Sequence, residues 1–431
     1  MTSQIGWIDF SPKDRDRVKR FMDLMGMGGV VDELGIGMIR DAMSNKLFPG
    51  FSTLYTRAKY FFITPYILLE KEKKQTMRQS GKDYFHKAEV DTNRIIIQYY
   101  ENHPERKVES YFGKDKKDGN LKRQPSEIYW NGIQHLHLLE SESSLDQILA
   151  EKHSLMDELL SKNRGDDTTK EQGENRVVGC ENVSYDSNWQ QFITDNGLRL
   201  TRTEAETLRD RLQFYSKNSL PASLVTNDAL WTLYKSALNE SKQSDYLDNA
   251  FVHFVESSIS IDLISNEELR ENLIKAHDMA LFLHGAHIAY NIQLWSKVNA
   301  PADFINKRRS EGIEWLKNLR SSMINFNDFQ INDCIKGTNL KTPTQKFLNS
   351  IQVLIKRTSD WNEIESDICR LTEQQERWNK KSKSRFVKIE KGQVIEEMNK
   401  PQWLGLSLIN YRYQSTLSVI NDIYEGLTNE V

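Results

Sequence analysis

Cysteine is scarce in this chain: Cys180, Cys334 and Cys369 are the only three among 431 residues, and no two form a Cys-x-x-Cys pair. That excludes a disulfide framework and the common zinc modules, and it suits a reducing compartment. Net charge is nearly absent, with 58 Lys and Arg against 61 Asp and Glu, a formal −3. A balance this even argues neither for nor against a nucleic-acid partner; only local patches bear on that question. Long apolar runs are missing as well. The most apolar segment, Tyr60 to Leu69, is about half the length of a membrane span and contains Pro65. The N-terminus lacks the basic start and apolar core of a signal peptide. The expectation is a cytoplasmic protein with no membrane partner.

What is present is an apolar fraction of 38%, enough for a sizeable core. The length predicts two or three structural units of roughly 100–200 residues. Nine prolines are few, and apolar residues recur at three- and four-residue spacing, the helical signature. Ile5–Phe10 is a candidate for one short strand, and Asn93–Tyr100 reads as strand or helix. Ser11-Pro12 starts a helix that runs to about Met25. A second helix runs from Asp32 to about Asn45, and Phe48-Pro49-Gly50 forms a turn. Ser52 or Thr53 then caps a third helix, which Pro65 kinks or ends. Thr203 with Glu206 forms a capping box. The fold class is therefore mainly α and multi-helical, with at most a small N-terminal β element. The expected organisation is an N-terminal helical region over 1–161, a mobile linker over 162–185 and a C-terminal helical region over 186–431.

Several constellations invite a functional reading. The glycine-rich stretch 26–37 lacks Gly-Lys-Ser/Thr and a preceding strand, so it is a helix connection and not a phosphate loop. The first three helices resemble a helix-turn-helix outline. In that reading Arg40, Ser52, Thr53, Thr56, Arg57 and Lys59, with Tyr55 beside them, present groups suited to phosphates and base edges. Leu54, Ala58, Phe61 and Phe62 form the inward face. The plain alternative is an ordinary amphipathic helix in a bundle. From Lys71 to Arg123 the chain is locally basic with Tyr84, Phe85, Tyr99, Tyr100, Tyr111 and Phe112 interleaved. Such a mixture tracks a nucleic-acid backbone or forms a solvated surface, and interspersed acids favour the second.

The segment Leu273–Trp295 is apolar around most of its circumference, which implies deep burial. Yet His277, His284, His287 and Asn291 fall within an arc of about 80° at 3.6 residues per turn. This polar stripe reads as a metal site, an acid–base histidine, a ligand groove or a hydrogen-bonded core. No Glu completes an H-E-x-x-H motif, so no metal ligand set is assigned and no cofactor is expected. His135 and His137 do not share a helical face, and no G-x-S-x-G elbow exists. The cysteines have no activating neighbours and read as core or surface residues. A basic joint follows at Lys380-Lys381-Ser-Lys383-Ser-Arg385. The C-terminal block from Trp403 to Leu427 reads as one amphipathic helix, with Arg412 paired to an acid such as Asp422.

Three motifs carry a resemblance: Ile5-Gly-Trp-Ile-Asp-Phe-Ser11, Asp32-Glu-Leu-Gly-Ile-Gly-Met-Ile-Arg-Asp41, and Phe48-Pro-Gly-Phe-Ser-Thr-Leu-Tyr-Thr-Arg-Ala-Lys-Tyr-Phe61. With Ile128-Tyr-Trp130, His284-Gly-Ala-His-Ile-Ala-Tyr-Asn291 and Tyr411-Arg-Tyr413, the chain resembles an uncharacterised bacterial domain-of-unknown-function family over most of its length. The resemblance implies a place in anti-phage defence islands beside helicases and phospholipase D-like nucleases, with Azaca-type systems as one candidate setting. It implies no chemistry and carries over no catalytic residue.

Two functions from different classes follow as expectations. The first is a non-enzymatic component of a defence complex that binds DNA, a helicase or a nuclease. The second is a metal- or histidine-dependent hydrolase, a nuclease, working from His277, His284 and His287. A third, plainer expectation is a protein-interaction scaffold without nucleic-acid contact, distinguished from the first by insensitivity of its binding to salt.

Overall fold

The computed structural model describes residues 32–74, 81–106, 110–114, 119–139, 141, 143–150, 183, 186–240, 249–336 and 338–428. Among them there is no strand. In chain order the helices are α1 (Gly37–Leu47), α2 (Tyr60–Lys74), α3 (Gly81–Asn102), α4 (Pro125–His135), α5 (Trp189–Asn196), α6 (Arg202–Tyr215), α7 (Leu220–Leu224) and α8 (Asp228–Glu240). They continue with α9 (Ala250–Ser260), α10 (Glu267–Lys297), α11 (Ala302–Ser322), α12 (Ile331–Ile335), α13 (Thr342–Arg357), α14 (Trp361–Lys380), α15 (Arg385–Glu390) and α16 (Tyr413–Thr428). Residues 145–150 are also helical. The expected all-helical class holds, and Asn93–Tyr100 resolves as helix within α3. The candidate strand at Ile5–Phe10, the helix starting at Ser11 and Cys180 lie outside the described residues. So does the expected linker over 162–185, apart from Val183.

The described residues divide into two compact units. One gathers 32–41 and 275–409; the other gathers 42–240, 249–274 and 410–428. Each draws on segments far apart in sequence.

In the first unit the spine is α10 from Lys275 onward. Its apolar surface is continuous, and Leu281, Phe282, Ile288, Tyr290 and Leu294 are all without solvent exposure. A helix greasy on every side must be surrounded. Gly285 makes one such approach close. The Trp315 ring from α11 lies over it, so near that an added Cβ would meet ring atoms at 2.1–2.4 Å. Trp315 Nε1 donates to the Leu281 carbonyl at 2.9 Å, which meets the need of a buried indole. Trp361, at the start of α14, packs over Gly312 in the same way. Helices α13 and α14 pair, and α14 packs against α11 and α15.

In the second unit α6 packs on α16, α8 on α9, and α2 on both α3 and α4. Gly426 lets α16 approach α6, where a Cβ would fall 2.8 Å from that of Ala205. The capping box at α6 uses Thr201 and Glu204, not Thr203 and Glu206. Both pairs fit the T-x-x-E pattern, but the Glu204 carboxylate has further buried partners that fix the register. Helix α2 begins at Tyr60, not at Ser52, and runs through Pro65. Helix α16 begins at Tyr413, so the block from Trp403 is not one helix.

Candidate functional site

The sequence directs attention first to residues 52–59, and the structure corrects the expectation of an outward polar helix face there. The stretch is an extended turn, and its two strongest cations point inward. Arg57 is 6% exposed and Lys59 1%. The Arg57 guanidinium meets both oxygens of Asp422 on α16 at 3.0 Å and donates to Tyr100 Oη at 3.1 Å. Asp422 also accepts the Ala58 amide at 2.7 Å. Burial pushes the Asp422 carboxyl up to about 6, against the pull of the Arg57 charge. Tyr129 Oη accepts the amides of Thr56 and Arg57 and donates to the Arg57 carbonyl. Lys59 Nζ meets both oxygens of Glu204 at 2.7 and 2.8 Å, and Tyr66 donates to the same carboxylate at 2.8 Å. Desolvation would be severe for either charge alone, and pairing offsets it.

Arg40 pairs with neighbouring Asp41 on the surface. Ser52 Oγ accepts the Leu54 amide in a local turn, Thr53 is exposed and Thr56 half-buried. Arg412 is not paired with Asp422; it donates to the Phe48 carbonyl at 2.8 Å and to Asn45, closing the end of α1. Among the described residues between Lys71 and Arg123, the aromatics Phe85, Tyr99, Tyr100 and Tyr111 are buried, with Tyr100 stacked on Tyr111 at 4.3 Å, while the cations Lys82, Lys87, Arg94 and Lys122 are exposed.

The histidine stripe of α10 is real but divided. His277 Nδ1 lies 2.8 Å from Asp278, and Asp278 accepts the amides of Ile324 and Asn325. His287 Nδ1 donates to the Leu283 carbonyl at 3.1 Å. Asn291 donates to the carbonyls of His287 and Leu404 and accepts the Leu404 amide. Its whole amide therefore pins the segment around residue 404 to α10. His284 stacks on Trp403 at 5.4 Å, and Arg308 lies over the same ring at 5.5 Å. Burial, reinforced by His287 and Arg308, lowers His284 to about 3. Burial lowers His287 to about 4, with the Leu283 carbonyl and Asp32 acting in the other direction. Both imidazoles are neutral at physiological pH. Among the described residues no group of three or more His, Cys, Asp or Glu could hold a metal ion.

The basic joint at Lys380–Arg385, which carries no motif in the sequence, is the most cationic stretch of this unit's C-terminal half. From Arg377 to Lys391 there are seven Lys and Arg and one acid, Glu390. The acids that hold this segment come mostly from elsewhere. Glu376, fully buried, accepts the Arg385 amide at 2.7 Å and the Ser384 hydroxyl. Ser384 in turn caps α15 through the Val387 amide. Arg385 is buried against Glu33 and Glu397, and Arg377 is tied to Glu373 and Glu390. Lys381 takes a left-handed backbone, φ 52°, at the sharp exit from α14. The anchored turn leaves Lys381, Lys383 and Lys391 exposed and Lys388 half-buried. None of these four makes an ion pair among the described residues. Three residues before Lys381, Trp378 is 36% exposed, with Lys341 Nζ 5.6 Å from its ring centre. A ring left in water among unpaired cations is the combination that meets phosphates and stacks a base.

No described helix is long and apolar enough to cross a membrane. Comparison with curated proteins and with solved structures finds no similar chain. The sequence pattern of a family of unknown function, DUF6361, matches residues 2–390, and the chain belongs to that family.

Proposed function

We propose that this protein is a non-enzymatic, DNA-contacting component of a bacterial anti-phage defence assembly, acting beside a helicase or a phospholipase D-like nuclease. The observation that carries the DNA contact is the lysine-bearing turn at the end of α14 with exposed Trp378 beside it. The defence setting and the partners rest on the resemblance of the N-terminal motifs. Phosphate contacts by Lys381, Lys383 and Lys388 supply sequence-independent affinity. Trp378 adds stacking on an unpaired base, which favours a single strand over a duplex. The site differs from the one expected near Arg57 and Lys59, whose charges are already consumed by Asp422 and Glu204.

Fluorescence anisotropy with labelled single-stranded and duplex DNA between 50 and 200 mM salt tests this reading. Binding should weaken steeply with salt. The Lys381→Gln, Lys383→Gln, Lys388→Gln triple variant should lower the logarithmic salt slope by about 2 on a single strand and about 2.7 on a duplex. Trp378→Ala should weaken single-strand binding by about 1–3 kcal/mol. Absence of binding at 50 mM salt, or an unchanged slope in the triple variant, would overturn the proposal.

A further inference from the structure

A groove separate from the lysine turn opens between the C-terminal turns of α10, the middle of α11 and the first half of α14. Its volume is about 630 Å³, within the range of small-molecule sites, roughly 300–1,000 Å³. Its floor is apolar, formed by buried Ile292 and Cys369. Burial also pushes the Cys369 thiol up, and the thiol is held by the Ala289 carbonyl, so it serves as wall and not as nucleophile. Around the floor stand Arg309, Arg370, Glu365 and Asn362, with the hydroxyls of Ser296 and Ser366.

Two guanidinium groups on one groove are the notable feature. Arg309 engages Glu365 through Nε at 2.9 Å, and Arg370 engages Asp367 through one terminal nitrogen at 3.0 Å. A guanidinium has five N–H donors, so each retains capacity. Both arginine side chains are about half exposed, and exposed pairs of this kind contribute at most about 1 kcal/mol. Exchange of a carboxylate for a phosphate therefore costs little, and the fork of Arg matches phosphate oxygens well. Glu365, also held by the Trp361 indole at 2.7 Å, offers acceptor oxygens to N–H or hydroxyl groups. Asn362 and the two serines add both donors and acceptors. An apolar floor, two half-exposed guanidinium groups on the lining and a hydrogen-bonding rim suit a ligand with a ring, polar edges and one phosphate.

We propose that this groove binds a nucleoside monophosphate, with Arg309 and Arg370 on the phosphate and the base over Ile292 and Cys369. The same chemistry occurs at the 5′-phosphate end of a nucleic-acid strand. This inference is independent of the lysine turn.

Calorimetric titration of the full chain with the four ribonucleoside monophosphates, their nucleosides, and 5′-phosphorylated and 5′-hydroxyl oligonucleotides tests it. At least one phosphate-bearing ligand should bind, with its unphosphorylated counterpart at least tenfold weaker. Arg309→Gln with Arg370→Gln should reduce that binding at least tenfold, while the lysine-turn triple variant leaves it unchanged. Preference for the phosphorylated oligonucleotide over every free nucleotide would assign the site to a strand end. No binding of any phosphate-bearing ligand, or equal binding by the double arginine variant of unchanged melting temperature, would overturn the inference. If that variant proves unfolded, Arg370→Lys serves in its place, since a point charge cannot reproduce the fork; undiminished binding by it counts equally against the site.

Discussion

In the unit that holds Arg57 and Lys59, strong cations are turned inward and closed off by carboxylates from distant helices. In the unit built on α10 and α14, Arg385 is likewise turned inward against Glu33, but Lys381, Lys383 and Lys391 stand exposed and Lys388 half-buried, with no ion pair among the described residues. The contrast teaches where function is to be sought. A cation locked in a buried pair is part of the architecture, because removing its partner leaves an uncompensated charge in a poor solvent. A cation on a rigid turn in water keeps its full capacity for an external anion.

Breaking the inward pairs should produce the largest effect. Asp422→Ala leaves Arg57 buried and unpaired, and it should cost about 3–5 kcal/mol of stability in urea unfolding. Replacing both partners, Arg57→Met with Asp422→Leu, should recover most of that loss. If the single and double variants are equally unstable, the pair is not the source of the effect.

The neutral imidazoles sharpen the comparison through pH. Both titrate near 6.5 in the unfolded chain, and near 3 and 4 when folded. The unfolded chain therefore binds more protons between these values. Their contribution is complete above pH 6.5 and is lost as pH falls toward 4, by on the order of 3 kcal/mol for His287 alone. Melting temperatures measured across that window should rise with pH, and His287→Gln should flatten the rise. A slope indifferent to this substitution would show that the imidazole is not the titrating group.

The smallest effect is expected at the surface. Neutralising Lys381, Lys383 and Lys388 should change stability by no more than about 0.5 kcal/mol, in contrast to Asp422→Ala. A large loss of stability would mean that these lysines support the turn instead of decorating it.

The helical class is readable from the three- and four-residue spacing of apolar residues alone. The errors are instructive. Thr203-x-x-Glu206 and Thr201-x-x-Glu204 are equivalent as local signals, and Lys59 and Tyr66, far off in the chain, decide between them. Arg57 looked solvent-facing because its partner Asp422 lies 365 residues away. The lysine cluster after Trp378 was legible as composition, but its exposure depends on Glu376 and Glu33 holding Arg385 and Ser384 inward. The arginine groove had no signature at all, since its lining comes from three helices whose relevant residues are individually ordinary.

Glu376 gives the lysine turn one further property. By fastening Ser384 and the start of α15 to the interior, it sets the spacing of the backbone positions from which the neighbouring lysines project before any partner arrives. Ordering of that backbone is thus completed during folding, so a docking polyanion loses less entropy than it would on a floppy basic tail. The same rigidity leaves only the lysine stems free to adjust to the spacing of an anion's charges.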